Sequence, residues 1–244
     1  MEQKEGLIVG RNAVMQALES GRTIDSIIVA EGQRGGQAAK IIEIGKQRKI
    51  PVKFADSRRL DRLCAGAVHQ GVAAFAAAHD YAELDDIFAL AQSRNESPFI
   101  LICDGLEDPH NLGAVLRTAE AAGVHGVIIP KRNGVTLNYT VAKTSAGAIE
   151  YVPVVKVTNI PSTIDTLKQR GVWIFGADMD GTDYEKLDFK GSIAIVVGNE
   201  GKGIGKLVRE KCDFIASLPM KGKINSLNAS VAAGILMFEA AKQR

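Results

Sequence analysis

From residue 99 onward, short runs that are apolar from end to end alternate with stretches of helical periodicity. Strands are predicted at 99–103, 127–129, 152–155, 172–175 and 193–197, with helices at 112–122 and 160–169. A run without polar alternation belongs to a strand covered on both faces, so the rhythm predicts an α/β fold built on a mostly parallel sheet. In open sheets of this kind, ligands bind beyond the carboxyl ends of the strands.

The end of the chain adds one more strand and a helix. Residues 214–218 are apolar and stop at Pro219, which supplies no backbone donor. A loop over 220–227 then turns the chain. Ser226 or Asn228 can cap the helix that follows, and Leu227, Val231, Ile235 and Phe238 share one face of it. Ala229, Ala232, Ala233 and Gly234 leave room for a second backbone to come close.

The first third is organised differently. A helix over 12–18, a strand over 26–30, a Gly-rich turn at 32–36 leading into a helix through Ile41, Ile42 and Ile44, and a strand over 52–54 come first. A short basic helix capped by Asp56 or Ser57 and a strand over 72–76 complete a small α/β domain, 1–77. Residues 78–97, with five acids against one Arg, read as an acidic linker ending in a helix that docks on the second domain, 98–244. Residues 1–77 hold 12 Lys and Arg against 8 Asp and Glu, in a chain whose net charge is only +2. That surplus makes the first domain the expected footprint for a phosphate backbone. Arg11, Lys53, Arg58, Arg59 and Arg62 are its candidate contacts.

Composition excludes several classes. With 244 residues and 46% apolar content the chain can fill real cores. It contains no apolar run of the roughly 20 residues a membrane span needs, and its charged start lacks a signal-peptide core, which predicts a cytoplasmic protein without a membrane partner. Cys64, Cys103 and Cys212 are far apart, the four histidines form no HxxxH pair, and no metal is implied. The Gly-rich stretch 198–203 lacks the GxxxxGK[ST] spacing of a P-loop, and GxGxxG does not follow a first strand, which argues against a dinucleotide-dependent oxidoreductase. Taken alone, that stretch is a turn that brings backbone donors near a ligand. Arg117 by itself suggests a surface pair with Glu120, and Asn111 a helix cap.

Three stretches in order change this reading. Asp108-Pro109-His110-Asn111-Leu112-Gly113 through Arg117, Val197-Gly198-Asn199-Glu200-Gly201, and Pro219-Met220 with Gly222, Ser226-Leu227-Asn228 and Ser230 resemble the three motifs of the SpoU/TrmH class of RNA ribose 2′-O-methyltransferases. The similarity to the bacterial 23S ribosomal RNA guanosine 2′-O-methyltransferases extends to the GRNAV and AVHQG segments near the amino terminus. The resemblance implies a SPOUT-like second domain with a deep trefoil knot, a homodimer packed through its helices, and an amino-terminal domain that holds substrate RNA, with His69 among its contacts. It implies an S-adenosylmethionine pocket formed by the backbone of Gly198, Leu218 and Met220 and the side chain of Leu227. Arg117 is then placed at the target ribose, with Asn111, Glu200, Ser226 and Asn228 orienting it, the sugar or the cofactor. An unperturbed guanidinium stays charged far above neutrality, so a phosphate grip and alkoxide stabilisation suit Arg117 better than proton abstraction. A transfer-RNA methyltransferase of the same class, or a catalytically silent RNA-binding module, would share these residues.

Overall fold

The computed structural model describes residues 6–33, 35–199, 201–223 and 226–244. The chain divides into two compact units, one comprising 1–80 with 137–139 and the other 81–136 with 140–244.

In the first unit the order is β1 (Leu7–Val9), α1 (Arg11–Glu19), β2 (Ile24–Ala30), α2 (Gly36–Gln47), β3 (Val52–Ala55), α3 (Ser57–Leu63) and β4 (Val72–Ala76). The sheet runs β1-β4-β2-β3, with β2 and β3 parallel and β4 antiparallel to both β1 and β2. Sequence periodicity misses β1, because three residues are too few to show an alternation. Val14, Leu18, Ile27, Val29, Ile41 and Val72 are fully buried between helices and sheet. Each such side chain contributes roughly 1.5–3 kcal/mol of transfer free energy. Asp56 caps α3 by accepting from the Arg59 N–H at 2.8 Å.

The second unit begins with α4 (Leu84–Ser93), whose Ile87 enters the same apolar cluster as Ile100 and Ile128. Next come β5 (Phe99–Asp104), α5 (Pro109–Ala121), β6 (Gly126–Pro130), α6 (Tyr139–Thr144), β7 (Val154–Val157), α7 (Ile160–Gln169) and β8 (Trp173–Asp183). The chain ends with β9 (Ile193–Gly198), α8 (Lys206–Lys211), β10 (Phe214–Ser217) and α9 (Ala229–Gln243). Six parallel strands lie in the order β10-β8-β9-β5-β6-β7. The central strands β5 and β9 are buried over all but their last residue, as their unbroken apolar sequences require.

Three expectations are corrected. Helix α5 starts at Pro109, not 112, because Asp108 is the cap: its carboxylate accepts from the His110 N–H at 2.9 Å, and Pro109 occupies the first turn, where no donor is missed. Asn111 is therefore not a cap but a buried side chain inside the helix. Strand β8 runs to Asp183, eight residues past its apolar core, because a polar continuation still pairs with β10.

Candidate active site

Strand β9 ends at Gly198, and the loop after it closes on itself. Asn199 and Gly203 exchange both backbone hydrogen bonds, at 3.1 and 2.8 Å. The Asn199 side-chain oxygen Oδ1 accepts from the Gly201 and Lys202 N–H groups, and its side-chain amide Nδ2 donates to the Gly105 carbonyl at 3.2 Å, joining this loop to the one after β5. Gly198 has no substitute here, since a Cβ would collide with the backbone of Gly203 and Ile204. Gly198, Asn199 and Gly203 are thus held by hydrogen bonds within the loop and by lack of space.

Facing it are residues 177–179 in the middle of β8, Ala216 of β10, Leu218, Met220, Ser226 and Leu227 beyond that strand, and the first turn of α9. Together they enclose a cavity of about 400 Å³. Gly198, Leu218, Met220 and Leu227 all line it, as does Ser226. Ala229 and Ala232 form its helical wall, and larger side chains there would fill it. A cavity of this size, with apolar side chains and a few backbone polar groups, falls within the range of small-molecule sites.

The first motif reaches this cavity indirectly. Helix α9 packs on α5, and a Cβ on Gly234 would lie at ordinary contact distance, 3.5 Å, from Thr118, so the small residues of α9 allow the close approach. Asn228 caps α9 by accepting from the Ser230 N–H at 2.9 Å, and its amide donates to Asn111 Oδ1 at 3.0 Å. One side chain thus starts the last helix and fixes the first motif against the third. Gly113 is pressed so close to Thr144 that any side chain would collide with it.

Arg117 lies further along α5, six residues or about 9 Å beyond Asn111 along the axis. It is exposed, does not line the cavity, and makes no ion pair or hydrogen bond among the described residues. The surface pair with Glu120 is not formed. Glu200 lies outside the described residues. Val231, Ile235 and Phe238 do share a face of α9, but it is the outward one, between 36% and 52% exposed, while Leu227 precedes the helix and lines the cavity; the buried face is Ala229, Ala233, Leu236, Met237 and Ala240.

In the first unit the candidate RNA contacts fall into two groups. Arg58 and Arg59 are exposed on α3, and their guanidinium groups make no hydrogen bond or ion pair among the described residues. Arg11 is spent internally, donating to the Gln70 carbonyl at 2.7 Å and to Gln33 Oε1 at 2.6 Å. His69 is also engaged at both ring nitrogens: Nδ1 accepts from the Gly71 N–H and Nε2 donates to Asp61, each at 2.9 Å. Both residues brace the turn at 69–71.

The chemistry available at the cavity does not involve the thiols. Burial pushes Cys103 and Cys212 up to about 12, and neither lines the cavity. Among the described residues no group of three His, Cys, Asp or Glu is placed to hold a metal ion, and no helix is long and apolar enough to cross a membrane. Sequence reasoning missed Ala177, Asp178 and Met179 as parts of the site, and it placed Asn199 and Lys202 in the Gly-rich stretch without giving either a role. Asn199 was legible as the Asx side chain of a Gly-rich turn, whereas around residues 177–179 Asp178 and Asp180 break up the apolar run and leave no strand pattern to follow.

Comparison with known proteins agrees with this architecture. Residues 98–238 match the SpoU rRNA Methylase family, and residues 7–82 match a family described as RNA 2′-O ribose methyltransferase substrate binding. A Bacillus subtilis protein, provisionally named TrmH family tRNA/rRNA methyltransferase YacO, is 49% identical over 245 residues, covering 100% of this chain and 98% of its own. A similarly named protein of Staphylococcus aureus is 49% identical over 242 residues, 99% of this chain and 97% of that one. Among solved structures, the SpoU methyltransferase AviRb of Streptomyces viridochromogenes in complex with AdoMet superposes with a TM-score of 0.61 at 23% identity, covering 97% of this chain and 89% of that one. An RNA 2′-O ribose methyltransferase superposes with a TM-score of 0.56 at 26% identity, covering 97% and 88%. Fold and site therefore define an α/β RNA-modifying enzyme with a separate substrate-binding domain. The chain belongs to the SpoU/TrmH family of RNA methyltransferases.

Proposed function

We propose that this protein transfers the methyl group of S-adenosylmethionine to the ribose 2′-hydroxyl of a guanosine in 23S ribosomal RNA, in the cytoplasm. The observation that carries the reading is the single cavity on which Gly198, Leu218, Met220 and Leu227 converge from the second and third motifs. Its volume and its mixture of apolar side chains and backbone polar groups fit an adenosine-bearing ligand. The cofactor, when bound, supplies an electrophilic methyl group on a sulfonium. The chain's own part is placement: in-line displacement needs the acceptor oxygen held in near-attack geometry and its developing charge stabilised. Asn228, bonded to Asn111, fixes the loop that carries Ser226 and Leu227. Arg117, with no partner among the described residues, is the cation available to grip the adjacent phosphate and stabilise the alkoxide.

Because Arg117 does not line the cavity of its own copy, the reading requires a homodimer in which the partner copy completes the site. Its support is the outward face of α9, where Val231, Ile235 and Phe238 are exposed on successive turns. The reading also carries a trefoil knot, supported by the return of α9 to α5 and β9 at mid-sheet after β10 is laid at the edge. The name of the family matched by residues 98–238 supports ribosomal RNA, while the relatives named tRNA/rRNA methyltransferases keep transfer RNA as the alternative.

Labelled S-adenosylmethionine offered with bacterial 23S ribosomal RNA and, separately, bulk transfer RNA tests the substrate. Label is expected in a ribose of the ribosomal RNA. Label entering only transfer RNA rejects that choice, and label entering neither, with cofactor bound, leaves the silent RNA-binding alternative.

A further inference from the structure

Strand β8 does not run straight past the cavity. Gly176 pairs with Ile215 of β10, while the next β10 residue, Ala216, pairs with Thr182, so residues 177–181 leave the ladder as an excursion. Ala177, Asp178 and Met179 on that excursion face the cavity. Its exit is fixed by Gly181, which lies against the Ile215 backbone too closely for any side chain, and by the Ser217 hydroxyl donating to the Gly181 carbonyl at 3.1 Å. Its tip is fixed from another element. Arg209 of α8 pairs with Asp178 Oδ2 and donates to the Asp180 carbonyl at 3.2 Å, while Asp178 Oδ1 accepts from the Met179 N–H at 2.7 Å.

We propose that Arg209 is a positioning residue for the methyl donor: acting through Asp178 and the Asp180 carbonyl, it holds the 177–181 excursion as one wall of the cavity without lining the cavity itself. A guanidinium makes both contacts at once from a planar fork, which an ammonium cannot do. The Arg209 and Asp178 side chains are 35% and 25% exposed, so the pair adds little to folding stability and its loss falls on the shape of the wall. The inference rests on the reading of the cavity as an S-adenosylmethionine site.

Calorimetry of the full-length protein with S-adenosylhomocysteine tests it, using wild type, Arg209→Ala, Arg209→Lys, Asp178→Asn and the Arg209→Ala/Asp178→Asn double variant. Arg209→Ala is expected to weaken binding about tenfold, with a matching rise in KM for S-adenosylmethionine and an unchanged KM for RNA. Asp178→Asn should behave alike, the double variant should be no worse than the weaker-binding single one, and Arg209→Lys should recover part of the loss, because all act through one contact. Single variants that bind within about twofold of wild type, or losses that add in the double variant, overturn the role of Arg209. Should Arg209→Ala fail to fold, Asp178→Asn and Arg209→Lys carry the same comparison. A wild-type protein that binds no S-adenosylhomocysteine overturns the underlying cofactor reading instead.

Discussion

An exposed arginine without an acidic partner is costly to hold still and cheap to recruit. Arg117 is such a residue, uncommitted among the described residues on a helix whose inner face is fully packed. Arg117→Ala is therefore expected to lower kcat on the order of a hundredfold or more while S-adenosylhomocysteine binding stays unchanged, as turnover and calorimetry together will read. His125 shows the opposite economy. Fully buried, it accepts the Phe99 N–H at Nδ1 (3.0 Å) and donates from Nε2 to Glu96 (3.1 Å), which fixes the neutral tautomer. Burial pulls its pKa below the ordinary 6.5, outweighing the Glu96 carboxylate, so the unfolded chain takes up a proton that the folded one refuses. The stability this residue contributes is present above pH 6.5 and lost as pH falls through the folded value. Urea midpoints measured between neutrality and mild acid should decline for wild type, with a shallower slope in His125→Gln. At this scale the sequence made Gly198, Leu218, Met220 and Leu227 legible only through the resemblance of its three motifs to a known family. It could not reveal that Arg11 and His69 are used up inside a turn, because their partners Gln33, Gln70 and Asp61 are distant or chemically unremarkable in one dimension.

Among the elements, helix α9 does the most with the least polar sequence. Its small residues face α5 and the cavity, its Leu236 and Met237 are fully buried, and its Val231, Ile235 and Phe238 face outward. A helix apolar all round is a helix buried all round. In the proposed homodimer the outward face lies between copies, and Ile235→Asp should shift the protein toward monomer and lower turnover. Light scattering after size exclusion will check the first effect; a dimer unchanged by the substitution would move the interface elsewhere. Helical spacing made this face visible in the sequence, but periodicity cannot say which of two apolar faces meets its own sheet. Strand β8 was legible only over its apolar core, since its continuation reads polar and is held by Arg209 and Ser217 from other elements.

For the molecule as a whole, the two units divide the work by chemistry. The first presents Arg58 and Arg59 on an exposed helix, and the second encloses the cavity. Replacing both arginines by Ala is expected to raise KM for RNA several-fold and to flatten its salt dependence by up to about two phosphate contacts, with S-adenosylhomocysteine affinity unchanged. Filter binding at increasing salt measures this. The parallel sheet and the separate first domain were legible because buried strands carry unbroken apolar runs and because basic residues concentrate before residue 78. The strand order was not, since nothing local records that β10 lies at the edge while α9 returns to the middle.

The described walls of the cavity come from residues 177–179, 197–199 with 201–203, and positions between Ala216 and Ala232, three stretches that lie apart in the chain. No one of them can hold a small molecule alone, so the pocket exists only when all three are assembled. Ligand stabilises only what it can occupy, so a methyl donor acts as a latch on the assembled state, raising the melting temperature with its concentration and giving nothing to the unfolded chain.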